Sequence, residues 1–409
     1  MGLKEQSKAG RDIVGMDETA VAQGRIDWTR RHMPVLRDTM DGFERTKPFD
    51  GLTIGFRLHL EPKTAVLLEA LRAGGARVIA MGNEGTTQFG TVAVVEAMGC
   101  EVLDKPDDDA AVTASHLATI ANARPDLVLD NGAELIAACI SQGHSPVGAT
   151  EETTSGAFAL REEYAGQVGF PVIVINDSPL KSIVENKHGV GESVVDTIVR
   201  ATNLSLHKKR LVVFGYGWCG RGIALYGERR GADVTVVEMD PVKALEAAMD
   251  GFDVGTADAA ASTADVVVTA TGRPQVVPTS LIERMPDGAL LANAGHVNTE
   301  IDVVSLEESS PGVEVSPSLK RHDLASGRSV FLVAEGRMVN LAAVGGIGNS
   351  IEAMDLGLAL QANSLAELLD PSAELVAGPQ PVPASINSHV ATAMLETMGQ
   401  AVASPEGET

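Results

Sequence analysis

Three closely spaced glycines form the pattern with the most explicit chemistry in this sequence. Gly215, Gly217 and Gly220 match the spacing G-x-G-x-x-G directly after the apolar run Leu211 to Phe214. The first glycine permits a tight turn, the second lets backbone N–H groups approach a pyrophosphate, and the third lets a helix pack closely on the strand. Negative charge is favoured at the N-terminus of the helix that follows. The pattern predicts a dinucleotide-binding loop, and the alternative is a glycine-rich turn in an ordinary α/β domain.

An acidic residue follows the glycines at the distance that such a loop requires. The apolar run Val234 to Val237 ends in Glu238, roughly 20 residues beyond the glycines. A carboxylate there can bind both hydroxyls of an adenosine ribose, and it would repel a 2′-phosphate. The sequence therefore predicts NAD rather than NADP as the cofactor.

Polar residues also follow several strand-like runs in the first half of the chain. In doubly wound sheets, ligands bind at the carboxyl ends of the strands, so we expect these residues to line a shared cleft. Each cluster taken alone would be typical of a solvated loop. The four clusters are Arg57, His59, Glu61 and Lys63; Asp130 and Asn131; residues 151–154; and residues 176–181.

The elements that position these residues follow from hydrophobic periodicity. From Leu52 onward, short β-branched runs alternate with helical patterns, which predicts an α/β fold with two doubly wound parallel sheets. A helix is predicted over residues 187–202, between the sheets. After a long helix, Ile351 to Leu369, the segment GPQPVPAS reads as a proline-rich linker before a last helix, Val390 to Met398.

Bulk composition limits the possible partners. A chain of 409 residues favours two domains. Its formal net charge of −23 argues against nucleic acid and anionic membrane as partners. The three cysteines have no metal-type spacing, which predicts no metal site and free thiols in a reducing compartment. The segment MGLKEQSKAG has no apolar signal core, so we expect a soluble, cytoplasmic protein.

With these elements placed, the chain resembles the S-adenosyl-L-homocysteine hydrolase family from about Met33 to Leu369. The motifs that carry the resemblance are LDNGAEL, TEETTSG, INDSPLKSIVEN, GYGWCGRG, NAGH and EGRMVNL. It implies a substrate domain that is split around an inserted NAD-binding Rossmann domain. The expected ranges are residues 1–186 for the first part of the substrate domain, 187–345 for the Rossmann domain, and 346–409 for the returning helices and tail. It also implies a small nucleoside substrate and a homo-oligomer, either tetramer or dimer.

The resemblance implies a redox-neutral reaction. In the family, NAD takes a hydride from the 3′ carbon of the substrate ribose, the ketone acidifies the 4′ proton, the 5′ thiolate is eliminated, water adds, and the hydride returns. Lys181 matches the lysine beside the 3′-hydroxyl, and Glu152 matches the glutamate that binds the ribose. His59 and His296 match the pair near the leaving group. The expected cofactor contacts beyond the glycine loop and Glu238 are Thr153, Thr154, Asn186, Thr271, Asn293 and Asn340.

Three catalytic positions depart from the family pattern. Asn131 stands where the family has an aspartate that is thought to assist proton abstraction, and it cannot act as a carboxylate base. Glu185 replaces the aspartate that pairs with the lysine. Val190 replaces a cysteine near the nicotinamide, which removes a thiol.

The positions that recognise the purine base depart further. Glu61 and Lys63 stand where the family has a threonine and a glutamate, and Ile347 stands at the gate histidine. Gln88 is a further predicted substrate contact. A changed set of donors and acceptors predicts a changed base, because buried polar groups left unpaired cost about 1–3 kcal/mol each. The tail SPEGET lacks the lysine and tyrosine with which family members reach a neighbour's NAD.

Taken together, the sequence predicts an NAD-dependent, adenosylhomocysteinase-like hydrolase with altered specificity. Hydrolysis of S-adenosylhomocysteine itself and action on another nucleoside, in specialised metabolism, both remain open. A catalytically silent NAD-binding regulator is the alternative of another class, favoured by Asn131. An ordinary dehydrogenase that releases NADH fits less well, because the second domain matches the redox-neutral family throughout.

Overall fold

The computed structural model describes residues 17–83, 86–104, 108, 110–296 and 298–403. It divides into two compact units: unit 1 is Met1–Ser178 with Asp355–Thr409, and unit 2 is Pro179–Met354. The domain limits expected at residues 186/187 and 345/346 remain a prediction. The segments MGLKEQSKAG and SPEGET lie outside the described residues.

Unit 1 alternates strands and helices over most of its length. Its elements are α1 (Glu18–Arg31), α2 (Pro34–Thr46), β1 (Thr53–Arg57), α3 (Pro62–Ala73), β2 (Arg77–Met81), α4 (Phe89–Ala97), β3 (Glu101–Val102), α5 (Ala110–Asn122), β4 (Leu127–Asp130), α6 (Glu134–Ser141), β5 (Gly148–Glu151), α7 (Thr154–Glu162) and β6 (Pro171–Val174), with β15 (Gly378–Pro381) and α16 (Ala384–Thr397) near the C-terminus. The helix α15 (Ile351–Glu367) carries the chain from unit 2 back into unit 1.

All strands of the unit 1 sheet pair in parallel, in the order β15-β6-β5-β4-β1-β2-β3. Strand β4 is buried along its whole length, as expected for a strand covered by helices on both faces. Because the strands are parallel, their carboxyl ends meet at one edge of the sheet. The loops after β1, β4 and β5 therefore lie side by side, and these loops carry the polar clusters of unit 1.

Unit 2 holds the second sheet. Its elements are a π-helix (Lys181–Val190), α8 (Gly191–Thr202), β7 (Arg210–Phe214), α9 (Trp218–Arg229), β8 (Asp233–Val237), α10 (Pro241–Met249), β9 (Asp253–Val254), α11 (Ala257–Ala261), β10 (Val266–Thr269), α12 (Thr279–Ile282), β11 (Ala289–Asn293), α13 (Val303–Ser309), β12 (Val313–Ser316), β13 (Leu319–Asp323), β14 (Ser329–Val333) and α14 (Val339–Ala342).

The strand order of this sheet is β12-β13-β14-β11-β10-β7-β8-β9. The strands from β14 to β9 pair in parallel, and the hairpin strands β12 and β13 extend one edge in antiparallel fashion. The apolar side chains of β7 and β10 contribute to cores on both faces of the sheet. The prediction of an α/β fold with two parallel-dominated sheets is confirmed.

Small residues allow the π-helix and α9 to pack unusually closely. A Cβ atom added at Gly222 would lie 1.8 Å from the carbonyl oxygen of Lys187, and one added at Gly191 would lie 2.4 Å from the carbonyl carbon of Gly222. Only glycine fits such an approach of two backbones. The contact fixes the π-helix, which carries Lys181, against the helix that follows the glycine loop.

One prediction about secondary structure is wrong. The predicted linker GPQPVPAS contains β15, which pairs with β6 at the edge of the sheet. An edge strand tolerates proline because only alternate N–H groups face the neighbouring strand, and here Gly378 donates to the carbonyl of Phe170. The predicted helix over 187–202 is confirmed, and its first residues belong to the π-helix, which extends to Val190. Among the described residues, no helix has the length and apolar character needed to cross a membrane.

Candidate active site

The glycine loop of unit 2 has the backbone geometry that its spacing predicts. Gly215 has a φ of +95°, which L side chains rarely adopt, and Gly217 is the N-cap of α9. A Cβ atom added at Gly220 would lie 2.0 Å from the carbonyl oxygen of Gly215. The glycines therefore allow a tight turn and bring the first turn of α9 against it, which leaves backbone N–H groups at a helix N-terminus for an anion.

This geometry predicts the effect of a single methyl group. Gly220→Ala must displace backbone, because the new atom would overlap the carbonyl of Gly215. Overpacking costs typically 1–3 kcal/mol, so we expect NAD affinity to fall roughly 10- to 100-fold, measured by calorimetric titration of the cofactor-free protein. Gly24→Ala is the matched control, because nothing lies within 4 Å of its added atom. Equal affinities in both variants would contradict the assignment of this loop.

Glu238, which follows β8, is held as a charged acceptor. Its carboxylate accepts hydrogen bonds from the N–H groups of Tyr216 (2.7 Å), Met239 (2.7 Å) and Asp240 (3.0 Å). Partial burial raises the pKa of Glu238, but these three N–H groups outweigh burial and hold the pKa below its usual value. The side chain is thus an ionised acceptor that can receive the hydroxyls of a ribose.

The loops after β10 and β11 carry the other predicted contacts of unit 2. Asn293 donates to the carbonyls of Gly336 (2.9 Å) and Gly295 (3.1 Å), and it accepts from the hydroxyl of Thr269 (2.9 Å). The hydroxyl of Thr271 donates to the carboxylate of Glu300 (2.7 Å). Glu300 is fully buried and was not predicted from the sequence.

Asn340 combines burial with an unused acceptor. Its side-chain nitrogen donates to the Ser193 hydroxyl at 3.0 Å. Its Oδ1 atom is buried and has no hydrogen-bond partner among the described residues. A buried amide oxygen without a partner is costly, so it points to a donor that a ligand supplies.

The π-helix brings three predicted side chains of unit 2 together. The ammonium group of Lys181 donates to Glu185 Oε1 at 2.6 Å and to Asn186 Oδ1 at 3.0 Å. Lys181 and Glu185 are 7% and 5% exposed, respectively, so this is a buried ion pair. A buried ammonium needs such partners. π-helical turns occur frequently at functional sites.

A thiol also lies in unit 2, although Val190 replaces the family cysteine. Cys219 lies in the first turn of α9 and is partly buried. Burial raises the pKa of Cys219 to about 11, and the charge of Lys181 lowers it less. At neutral pH this shift favours the protonated thiol over the nucleophilic thiolate.

In unit 1, the loops after β4 and β5 place Asn131 beside Glu152. The side-chain nitrogen of Asn131 donates to Glu152 Oε2 at 2.9 Å, and its oxygen accepts from Asn83 at 3.1 Å. His59, in the loop after β1, contacts the hydroxyl of Thr86 through Nδ1 at 2.7 Å. Asn83 and Thr86 were not predicted. Their position as polar residues in the loop after β2 was the only feature of the sequence that could have indicated them.

The two predicted base-recognition residues lie next to each other at the start of α3. Glu61 is the N-cap of α3, and its carboxylate accepts from the backbone N–H of Lys63 at 3.2 Å. The ammonium group of Lys63 lies 3.4 Å from the same carboxylate, with side chains 11% and 16% exposed for Lys63 and Glu61. This pair is therefore mostly shielded from water.

The remaining predicted residues are more exposed or cap helices. Thr153 is the N-cap of α7, and the hydroxyl of Thr154 donates to Asn176 at 3.1 Å. Gln88, at the N-cap of α4, accepts from Arg25 at 3.3 Å. Two further predicted residues lie in exposed loops of unit 2, namely His296 and Ile347.

Comparisons with known proteins agree with this arrangement. The S-adenosyl-L-homocysteine hydrolase model matches residues 12–146, and the model of that enzyme's NAD-binding domain matches residues 186–346. S-inosyl-L-homocysteine hydrolase of Methanopyrus kandleri is 42% identical to this chain over 94% of it and 92% of that protein.

The chain belongs to the S-adenosyl-L-homocysteine hydrolase family.

Two further relatives in this family carry different names. Adenosylhomocysteinase of Thermosynechococcus vestitus is 37% identical over 98% of this chain and 95% of that protein. S-inosyl-L-homocysteine hydrolase of Methanothermobacter thermautotrophicus is 40% identical over 92% of this chain and 91% of that protein. The prediction of an NAD-binding hydrolase of this family is confirmed.

The described residues of unit 2 fit NAD. The glycine loop offers N–H groups for a pyrophosphate, and ionised Glu238 offers an acceptor for ribose hydroxyls. Asn340 Oδ1 is a buried acceptor that lacks a partner, as a site for a carboxamide N–H requires. When bound, NAD supplies a reversible store for a hydride.

A buried carboxylate holds the polar loops of unit 1 together. The side chain of Glu151 is completely buried, with an exposure of 0%. It accepts from the N–H groups of Gly132 (3.0 Å) and Ala133 (2.8 Å), and from both the N–H and the hydroxyl of Thr153 (2.7 Å each). It thus ties the loop after β4 to the loop after β5. In the sequence Glu151 belongs to a polar cluster of loop type, and its role as a buried link between two loops was not predicted.

This carboxylate predicts a pH-dependent stability. Burial, and then the charge of Asp130, raises the pKa of Glu151 from 4.5 to about 8. Between these two pKa values the folded state binds more protons than the unfolded state. The contribution of Glu151 to the free energy of unfolding is therefore complete below the lower pKa, and it is lost as pH rises through the upper pKa. We expect Glu151→Gln to weaken this alkaline fall in the thermal unfolding midpoint. Glu163→Gln, at an exposed position, is the control. Parallel pH profiles for the wild type and Glu151→Gln would contradict the prediction.

Proposed function

We propose that this chain is an NAD-dependent hydrolase that cleaves S-nucleosyl-homocysteine thioethers whose base is a 6-oxopurine, as in S-inosyl-L-homocysteine. Two relatives are named for that substrate. The observation that carries the proposal is the pair of charges at Glu61 and Lys63.

The two purines differ in the edge that these side chains would meet. Adenine presents an amino group as donor at position 6 and an acceptor at N1, whereas hypoxanthine presents an acceptor at O6 and a donor at N1. A glutamate at position 63, as in the family pattern, accepts from the amino group. Lys63 can only donate and an ionised Glu61 can only accept, so the pair is complementary to hypoxanthine.

Burial makes this difference energetically large. Both side chains are at least four-fifths shielded from water, and they lie 3.4 Å apart. An amino group facing the ammonium would leave two donors opposed, and each unpaired buried group costs about 1–3 kcal/mol. Sites built to hydrogen-bond a substrate reject analogues that lack the partner much more strongly than apolar pockets do.

The sugar chemistry rests on other side chains. We propose that Lys181, as a neutral amine, holds the 3′-oxygen and accepts its proton, and that Glu185 and Asn186 fix the ammonium group that results. Glu152 would hold a ribose hydroxyl, and His59 and His296 would move protons at the sulfur and at the attacking water. Histidine suits that task because its pKa lies near neutrality.

We extend this proposal to the domain limits, the assembly, the location and the remaining contact residues. The chain would divide into residues 1–186, 187–345 and 346–409, and it would act as a homo-oligomer in the cytoplasm. Thr153, Thr154, Thr271 and Asn293 would be cofactor contacts. Gln88 and Ile347 would contact substrate.

The test compares two thioethers. Purified protein is incubated separately with S-inosyl- and S-adenosyl-L-homocysteine, and release of the homocysteine thiol is followed with a thiol reagent. We expect kcat/KM for the inosyl substrate to be roughly 100-fold higher or more. Equal rates, or a preference for the adenosyl substrate, would contradict the proposal.

A silent NAD-binding regulator is the second candidate, and Asn131 is the observation in its favour. A neutral amide stands where a carboxylate could act as a base, and it donates to Glu152 at 2.9 Å. A regulator would bind NAD but would show no cofactor reduction with any purine nucleoside. Cofactor reduction by inosine would exclude it.

A further inference from the structure

The contact between Asn131 and Glu152 has a defined direction. An ionised carboxylate can only accept, so the amide nitrogen of Asn131 faces Glu152 Oε2 at 2.9 Å. The amide oxygen of Asn131 then accepts from Asn83 at 3.1 Å. Asn131 and Glu152 are 6% and 7% exposed. The three side chains form a directed chain of hydrogen bonds, partly buried at Asn83 and buried at Asn131, that ends at the carboxylate of Glu152.

The backbone of Asn131 is fixed as well. Its N–H donates to Asp130 Oδ1 at 2.8 Å, and its carbonyl accepts from the guanidinium of Arg57 at 2.5 Å. The backbone N–H of Glu152 donates to the carbonyl of Asp130 at 3.1 Å. Residues 131 and 152 are therefore held at a set separation, and the amide cannot easily turn away from the carboxylate.

A neutral partner changes what Glu152 can do. Two carboxylates at this separation would share one proton, because like charges disfavour ionisation of both. The amide of Asn131 is neutral and donates a hydrogen bond to Glu152 instead. Only one oxygen of Glu152 is engaged in this way, since Oε1 has no hydrogen bond to the described residues.

We propose that Glu152 is the base that removes the proton from carbon 4′ of the oxidised sugar, and that Asn131 orients it. This rests on the proposed function, since only a ketone at 3′ makes that proton acidic. The C4′–H bond breaks, its electron pair forms the C4′–C5′ double bond, and the C5′–S pair leaves with the homocysteine thiolate. When water adds at C5′, Glu152 returns the proton to C4′ and the proton of the water neutralises the thiolate.

The test uses 5′-deoxyinosine, which carries hydrogen in place of sulfur and cannot eliminate. In heavy water, nuclear magnetic resonance follows exchange of the C4′ proton, and near-ultraviolet absorbance follows cofactor reduction. We expect Glu152→Gln to slow exchange by about 1,000-fold and cofactor reduction by no more than about 10-fold. Glu163→Gln, the same change at an exposed position, should alter neither rate.

A second variant probes orientation. Asn131→Asp places two carboxylates side by side, so they share a proton and the pH at which exchange becomes rapid should move upward by about one unit or more. A purely structural role for Asn131 would change the rate without moving this pH profile.

Three results would overturn the proposal. The first is exchange of the C4′ proton at the wild-type rate in Glu152→Gln. The second is loss of this exchange in His59→Gln while Glu152→Gln retains it. The third is an equal loss of exchange and of cofactor reduction in Glu152→Gln. Failure of the wild type to reduce its cofactor with any 6-oxopurine nucleoside is a different result, because it refutes the proposed function itself.

Discussion

Replacing Lys181 with methionine is expected to lower kcat for thioether hydrolysis by about 1,000-fold or more. Proton transfer by a positioned side chain contributes typically 10²–10⁴-fold, and methionine can neither accept the 3′-hydroxyl proton nor stabilise the alkoxide. Thiol release from S-inosyl-L-homocysteine measures the effect. The exposed residue Lys208, changed to methionine, provides the control.

The same substitution also disturbs folding, and this effect must be separated from catalysis. Lys181→Met leaves Glu185 as a buried carboxylate without its cation, which costs about 3–5 kcal/mol when a buried pair is broken. In Lys181→Met/Glu185→Gln the second change removes that charge. We expect the double variant to regain thermal stability and to remain inactive. Recovery of turnover together with stability would show that Lys181 has only a structural role.

Exchanging the base-recognition pair is expected to reverse substrate preference. Lys63→Glu with Glu61→Thr restores the acceptor that the family pattern offers to the adenine amino group. Donors and acceptors of the adenine edge that face like groups in the wild type would then find hydrogen-bonding partners. The ratio of kcat/KM for the adenosyl over the inosyl substrate should therefore rise by roughly 100-fold or more. Competition between the two thioethers in one reaction gives this ratio directly.

Lys208→Glu makes the same change of charge at an exposed position and should leave the ratio as in the wild type. If the double variant folds, binds NAD and still prefers the inosyl substrate, then Glu61 and Lys63 do not select the base.

The elements with strong periodic signals were predictable from sequence. The run Leu211 to Phe214 before the glycines lies in β7, and its parallel neighbours β8 and β10 also followed from β-branched runs. Strands β7 and β10 are buried over most of their length, so their continuous apolar composition indicates them. The glycine spacing was informative because each position has a separate steric requirement, which the close approaches at Gly215 and Gly220 reproduce.

Other features depend on tertiary contacts that a local pattern does not contain. The residues from Lys181 to Val190 have ordinary helical propensities, and their π-helical form accompanies close packing against Gly222 of α9. The strand β15 was taken for a linker because its prolines mask an edge strand. A strand end was expected near Glu151, but the bounds of short β5 were not predicted, because its sequence GATE has no run of β-branched residues.

The candidate site shows the same division. Lys181, Glu185 and Asn186 were predicted, and the structure joins them by hydrogen bonds. Glu300 and Ser193 were not predicted, and Glu151 was predicted only as one member of a polar cluster. These side chains accept from or support groups that are distant in sequence. Such supporting residues have no spacing rule of their own.

The most direct measurement follows a single label. The protein is mixed with S-inosyl-L-homocysteine that carries deuterium at C3′, the reaction is quenched within one turnover, and the cofactor is extracted for mass spectrometry. The proposed mechanism predicts deuterium in the reduced cofactor during turnover and retention of deuterium at C3′ in the released inosine. Thiol release with no label ever entering the cofactor would contradict it.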